Sequence, residues 1–260
     1  MWHKLLLSLF LAKILVLPVC DGFSDAPEWN ILKLAQIWPP ASCFYLEEQH
    51  QTCSIPESVM SWTVHGLWPT QEGTLGPNYC NNTWKFNLQQ VQVLRPLLDI
   101  KWPSFSVQDP LPNNWQHEWE KHGTCGTSVQ DLRDELHYFN TTLQLHQKYS
   151  LQSLLASRGI VPSSSVTYTP DAVLTALHDI LGVYPNVICV RDEKEKQSYL
   201  ETVEICMTRD FGLIDCSGTY QQKNRLTHQE NQILRKMSVS LSDIEDCDKS
   251  GVFYKPFAQK

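Results

Sequence analysis

Leu5 to Cys20 is an almost continuous apolar run, interrupted by Lys13 and followed by Asp21-Gly22, and beyond it the spacing of hydrophobic positions changes several times. Phe44 to Glu48 and Ser61 to Trp68 concentrate aromatic and β-branched residues and predict strands. A loop is expected from Gly73 to Pro77. In Phe86 to Ile100 the residues Leu88, Val91, Leu94, Leu97 and Leu98 recur at helical intervals, and Pro96 predicts a break near the end. Trp102 to Asn114, with its prolines, reads as irregular. Asn114 to His122 predicts a helix ended by Gly123, and Val129 to Arg158 one long helix or two, stopped by Gly159. Thr169-Pro170-Asp171 opens a further helix running to Leu181, with proline just inside its start and Gly182 just past its end. Val187 to Arg191 and Leu200 to Thr208 predict paired strands, and the stretch from Asp215 onward is mixed.

Long helices between separate groups of strands define an α+β class, a mainly antiparallel sheet with several helices packed on it. No internal repeat or Gly/Ser-rich linker divides the chain, so one domain from residue 25 to 260 is expected. Residues 1–24 read as a secretory signal, basic at Lys4, apolar thereafter, with a small-residue cleavage region near Gly22 or Ser24. A membrane anchor is the alternative, but about 16 apolar positions with a lysine inside fall short of the ~20 that span a bilayer.

Without Cys20 an even set of cysteines remains, which in a secreted chain predicts a disulfide-stabilised fold. Roughly 105 pairings are possible for eight cysteines. Sequence proximity favours Cys43 with Cys53 and Cys206 with Cys216, leaving Cys80 with Cys125 and Cys189 with Cys247 as longer staples. No C-x-x-C pair supports zinc. Sequons at Asn81 and Asn140 fit glycosylation in the same secreted or lysosomal compartment. The formal charge is −7, and losing Lys4, Lys13 and Asp21 with the signal makes it −8, which disfavours a duplex binder that works by counterion release.

Two histidine segments carry the candidate chemistry. Trp62-Thr63-Val64-His65-Gly66-Leu67-Trp68-Pro69 sets a histidine in a strand-like run, and strict alternation puts Thr63, His65 and Leu67 on one face and Val64, Gly66 and Trp68 on the other. In isolation, His65 reads equally as a hydrogen-bonded core imidazole. On a helix, His117, Glu118, Lys121 and His122 fall at about 0°, 100°, 40° and 140° and form one stripe, while Trp115, Trp119 and Glu120 point largely elsewhere. Such a group of ionisable side chains needs pairing or solvent, so a cleft wall suits it. A salt-bridged solvent face is the plainer reading. A zinc hydrolase would need H-E-x-x-H, whereas the spacing here is five residues, about 100° out of place on an α-helix.

Together, His65-Gly66-Leu67-Trp68-Pro69 and His117-Glu118-Trp119-Glu120-Lys121-His122-Gly123-Thr124-Cys125 resemble the paired signatures of the T2 family of acid, transferase-type ribonucleases. The resemblance implies an α+β fold and cleavage of single-stranded RNA through a 2′,3′-cyclic phosphate, without metal or other cofactor. It further implies that His65 and His122 are the proton-transfer pair, that His117 helps hold the phosphate, and that Glu118 and Lys121 support the transition state. Glu118 has two readings, an orienter of His122 or a protonated donor to the phosphoryl oxygen. DNA lacks the 2′-hydroxyl and is not expected to be cut. Trp68, and less directly Tyr79, are the candidate platforms for a base, with plain packing as their other reading. Thr70 stands where many relatives carry Asp, and Asn114 where they often carry Phe; both departures touch base pockets. A monomer suffices, and no protein partner is indicated.

Overall fold

The computed structural model describes residues 28–72, 74, 76–192, 194–216 and 247–258. The expected signal segment lies outside these residues. Four strands build the centre of the sheet: β1 (Ile31–Ile37), β2 (Thr63–Thr70), β4 (Asn186–Asp192) and β5 (Gln197–Met207). β1 runs antiparallel between β2 and β5, and β4 pairs antiparallel with β5. Short strands β3 (Thr167–Tyr168), β6 (Leu213–Ile214) and β7 (Val252–Phe253) extend the sheet, and only the β5–β7 contact is parallel among the described pairs. The class is therefore α+β with a mainly antiparallel sheet.

β1 is the longest of the strands that periodicity did not reveal. Its Ile-Leu-Lys-Leu-Ala-Gln-Ile has a buried glutamine and a half-buried lysine, so neither strict alternation nor a continuous apolar run marks it. The Gln36 amide is half satisfied: its Nε2 donates to the Tyr149 carbonyl at 2.9 Å, while its Oε1 has no partner among the described residues.

Phe44 to Glu48 is helical, not extended. It ends α1 (Pro39–Glu48), whose prolines occupy the first helical positions where a missing N–H costs nothing. Phe44 then packs on Tyr199 of β5, so the aromatic content that suggested a strand serves a helix–sheet contact. Leu88–Leu94 is a 3₁₀ segment and α2 is Arg95–Lys101, so Pro96 starts a helix instead of ending one. α5 (Glu135–Lys148) and α6 (Leu151–Ala156) divide the predicted long helix, followed by Gly159 at φ 75°. α7 (Pro170–Leu181) has the expected caps: the Thr169 hydroxyl accepts from Ala172 N, and Gly182 is left-handed at φ 75°.

α5 lies across β1 and β2. Leu32, Leu34, Val64, Leu67, Val203 and Ile205 from the sheet meet Tyr138, Phe139 and Leu143 in one core that also holds Trp38, Trp62, Trp102, Trp115 and Trp119. Disulfides join Cys43–Cys53, Cys80–Cys125, Cys189–Cys247 and Cys206–Cys216.

β2 is an edge strand of the described sheet, and its outer carbonyls are taken by side chains from the covering helices and loops. Trp102 Nε1 donates to His65 O at 2.9 Å, Tyr138 Oη to Leu67 O at 3.0 Å, and the His146 ring meets Trp62 O at 3.1 Å. All three side chains are buried, so these bonds fix the strand that carries His65 and close it to further pairing.

Candidate active site

The register between β1 and β2 slips by one residue: Ala35 faces Gly66 but Gln36 faces Val64, leaving His65 as the extra residue of a β-bulge. A bulge re-aims a side chain. His65 therefore joins the face of Gly66 and Trp68, contrary to strict alternation, and its ring lies 5.1 Å from that of Trp68 in an edge-on contact.

The second segment departs from its regular repeat in the same sense. α3 (Asn113–Glu118) passes into a π-turn over Trp119–Gly123 and then into α4 (Thr124–Gly126). A π-turn accommodates one extra residue and brings positions five apart onto one face. His117 and His122 consequently stand with ring centroids 6.3 Å apart. Gly123 does not end the helix; it sits inside it, where a Cβ would overlap the Trp119 ring. The same turn removes the argument against metal from the five-residue spacing, since donor atoms of His117, Glu118 and His122 all lie within 4.8 Å of one another. Trp115 and Trp119 point into the core, as the helical wheel placed them.

Trp68 joins the two segments. Its ring centroid is 5.4 Å from that of His122, and its Nε1 donates to Glu118 Oε2 at 2.9 Å. Glu118 is 2% exposed, and burial raises its carboxyl to about 8, against the smaller downward pulls of the Trp68 hydrogen bond and Lys121. It is thus a neutral acid at and below neutrality. His122 is 9% exposed; burial first, then Lys121, His117 and His65, lower its ring to about 3. Its Nδ1 is buried without a hydrogen-bond partner among the described residues. His65 is open to solvent. Protein packed around the ring nevertheless lowers it to about 4 by desolvation; Glu204 pulls upward, and His117 and Lys121 add smaller downward pushes. His117, also exposed, is lowered by desolvation and Lys121 while Asp109 opposes. The Lys121 charge thus acts on all four neighbours.

Beside this group, Tyr79, Asn113, Gln116, His117 and Glu120 line a cleft of about 310 Å³. Tyr79 is 47% exposed and held at φ 53°, its N–H donating to Lys121 O at 2.8 Å, and the adjacent Cys80–Cys125 disulfide staples this loop to α4. Thr70 donates its hydroxyl to the carbonyl two residues back, Trp68 O, at 3.1 Å, and Asn114 is half-buried on α3. Sequence reasoning overlooked Gln116 and Glu120 as cleft residues. Glu120 is tied to Lys85, Gln116 and the Phe86 N–H, a local network with no motif to announce it.

Two imidazoles and a neutral carboxyl gathered on one indole, with a third imidazole and an ammonium close by, fit acid–base chemistry on a phosphate ester. Residues 29–216 match the Ribonuclease T2 family. The chain belongs to that family. It is similar to ribonuclease Oy of Magallana gigas, 40% identical over 192 residues covering 73% of this chain and 88% of that protein. It also resembles ribonuclease T2 of Homo sapiens, 32% identical over 238 residues, 89% of this chain and 86% of the human one. The crystal structure of human RNase T2 superposes with a TM-score of 0.65 at 28% identity, covering 88% of this chain and 99% of that one. Endoribonuclease activity on RNA follows from family membership. No helix among the described residues is long and apolar enough to cross a membrane.

Proposed function

We propose that the chain cleaves single-stranded RNA by transesterification, His122 acting as general base and His65 as general acid, with 2′,3′-cyclic phosphate ends as product. The ribose 2′-hydroxyl is a poor nucleophile until a neutral imidazole takes its proton, and His122 is the drier ring, with its pKa brought to about 3. Attack of the 2′ oxygen on phosphorus breaks the bond to the 5′ oxygen, which leaves with a proton from His65. Lys121 supplies fixed positive charge to the phosphoryl oxygens, and His117 a further N–H. Of the two readings of Glu118, the proton donor is favoured: its carboxyl is neutral, its Oε2 is bonded to Trp68, and no hydrogen bond links it to His122 Nδ1.

The observation that carries this reading is the approach of both His65 and His122 to one indole, at 5.1 and 5.4 Å. The test is cleavage of a single-stranded RNA by His65→Ala and His122→Ala proteins whose folding is verified by circular dichroism, with EDTA present. Loss of turnover by about 10²-fold or more in each supports the assignment. Near wild-type turnover by either rejects it, and inhibition of the wild type by chelator would favour metal chemistry instead. A 2′-deoxy substrate should bind and remain uncut.

Because both histidines lie below their ordinary value, the bell of kcat/KM against pH should be centred in the acid range. Its rising limb is loss of the His122 proton and its falling limb loss of the His65 proton. Tyr79, exposed at the cleft, is the more open platform for a base. Thr70 and Asn114 bear on base preference. We place the protein in the secreted or lysosomal pathway as one domain over residues 25–260 after loss of the signal. Glycans would sit on Asn81, which is exposed, and Asn140, which is half-buried.

A further inference from the structure

Trp68 sits at the meeting point of the two segments, and three observations constrain what it does. Its indole N–H donates to one specific oxygen of Glu118, Oε2, at 2.9 Å. Its ring is flanked by His65 at 5.1 Å and by His122 at 5.4 Å, so a base stacking on it must share that space with both imidazoles. Behind it, Gly66 leaves room that nothing larger could leave: an added Cβ would overlap both Trp68 Nε1 and Glu118 Oε2. Glycine at that position therefore makes the indole–carboxyl contact sterically possible.

An indole N–H donates and cannot accept, whereas a neutral carboxyl has one carbonyl oxygen that accepts and one hydroxyl oxygen that donates. The carbonyl oxygen is the better acceptor of the two, so the bond from Trp68 favours Oε2 as the carbonyl oxygen. Building on the proposed transesterification, we propose that Trp68 is a positioning residue that keeps the acid proton of Glu118 on Oε1, aimed at the phosphoryl oxygen, and that this bracing outweighs any stacking on a base. No proton moves between Trp68 and Glu118 during turnover. The carboxyl O–H on Oε1 donates a hydrogen bond that strengthens as negative charge accumulates on the phosphoryl oxygen. Without the N–H, the carboxyl can rotate or place its proton on either oxygen, and ground-state binding of the nucleotide is left largely unchanged.

Trp68→Phe keeps an aromatic face and removes the N–H. Expected is a fall in kcat of about 10-fold or more with KM within about twofold, since the interaction acts in the transition state. In a cycle with Glu118→Gln, the double variant should be no slower than Glu118→Gln alone, because both changes remove one coupled device. Trp68 replaced by 3-benzothienylalanine, which exchanges the N–H for sulfur at nearly constant shape, guards against misfolding and should reproduce the kcat loss. A base platform predicts the reverse: unchanged kcat in Trp68→Phe and in the sulfur analogue, with KM raised only on Trp68→Ala. That pattern, or multiplicative losses in the cycle, overturns the inference while leaving the proposed RNA cleavage standing. Absence of RNA cleavage by the wild type would instead remove the reading on which it rests.

Discussion

His65 and His122 reach the same indole from opposite kinds of ground. His65 projects from a sheet edge into water, at a bulge whose backbone is clamped by the Trp102 and Tyr138 donors. His122 lies 9% exposed in a π-turn, with Nδ1 unpartnered among the described residues. At the first ring the Glu204 carboxylate opposes the lowering by burial; at the second, drier ring Lys121 adds to it. A single cleft thus separates two chemically identical side chains: burial lowers both, the Glu204 carboxylate partly restores the proton on His65, and Lys121 adds to its loss from His122. In both segments the separation depends on one residue inserted into a regular repeat.

The sharpest way to break the contrast is to delete one ring at a time under matched conditions. His122→Ala should erase the acid limb of the kcat/KM profile and His65→Ala the alkaline limb, each with losses of about 10²–10⁴-fold. Loss of the same limb in both variants would show that the two rings are not divided in role. Next in size, removing the clamp on the strand should disturb His65 more than His122. Tyr138→Phe strips the donor from a buried carbonyl and should cost about 1–3 kcal/mol in urea unfolding. Its falling limb should broaden or move while the rising limb stays, since Leu67 belongs to the His65 strand; an unaltered profile would uncouple the clamp from the chemistry.

His146 offers a comparison with a buried histidine outside the reacting pair. Burial lowers it to about 4, opposed by its contact with the Trp62 carbonyl, while Lys101 adds a smaller downward push. The folded state thus prefers the neutral ring, and the unfolded chain binds the proton first, near pH ~6.5. Stability from this group is complete above pH ~6.5 and is lost as pH falls towards about 4, on the order of 3 kcal/mol in all. His146→Gln should flatten the decline of Tm across that window, and a slope identical to wild type would contradict this. The smallest effect belongs to Glu204, which is hydrogen-bonded by Lys33 at 3.1 Å and Asn186 at 2.7 Å. Glu204→Gln should move the falling limb to lower pH through loss of the charge that favours protonated His65. An unmoved limb would exclude that influence.

Much of the architecture was legible where local chemistry and tertiary packing agree. Thr169, Pro170 and Gly182 delimit α7 because caps act within a turn of the residues that make them. β1 was hidden because its buried glutamine depends on a backbone partner 113 residues away. Phe44 misled because an aromatic residue near a sheet can belong to the helix lying on it. The candidate site was legible in composition and illegible in geometry. His65, His117, Glu118, Lys121 and His122 announce themselves as residue types, but a bulge and a π-turn alter which of them share a face. A fixed period cannot register an insertion of one residue. The contact between Trp68 and Glu118 was equally out of reach, since it spans 50 positions and depends on a glycine whose importance appears only in three dimensions.

The division of labour between the rings is tested most directly by following the His65 and His122 ring protons by NMR during a pH titration. The titration is run on the free protein and on its complex with an uncleavable 2′-deoxydinucleotide. The account predicts that His65 takes up its proton at a higher pH than His122 in both states, and that the dinucleotide shifts both rings. A reversed order of protonation, or a dinucleotide that perturbs one ring and leaves the other untouched, would contradict it.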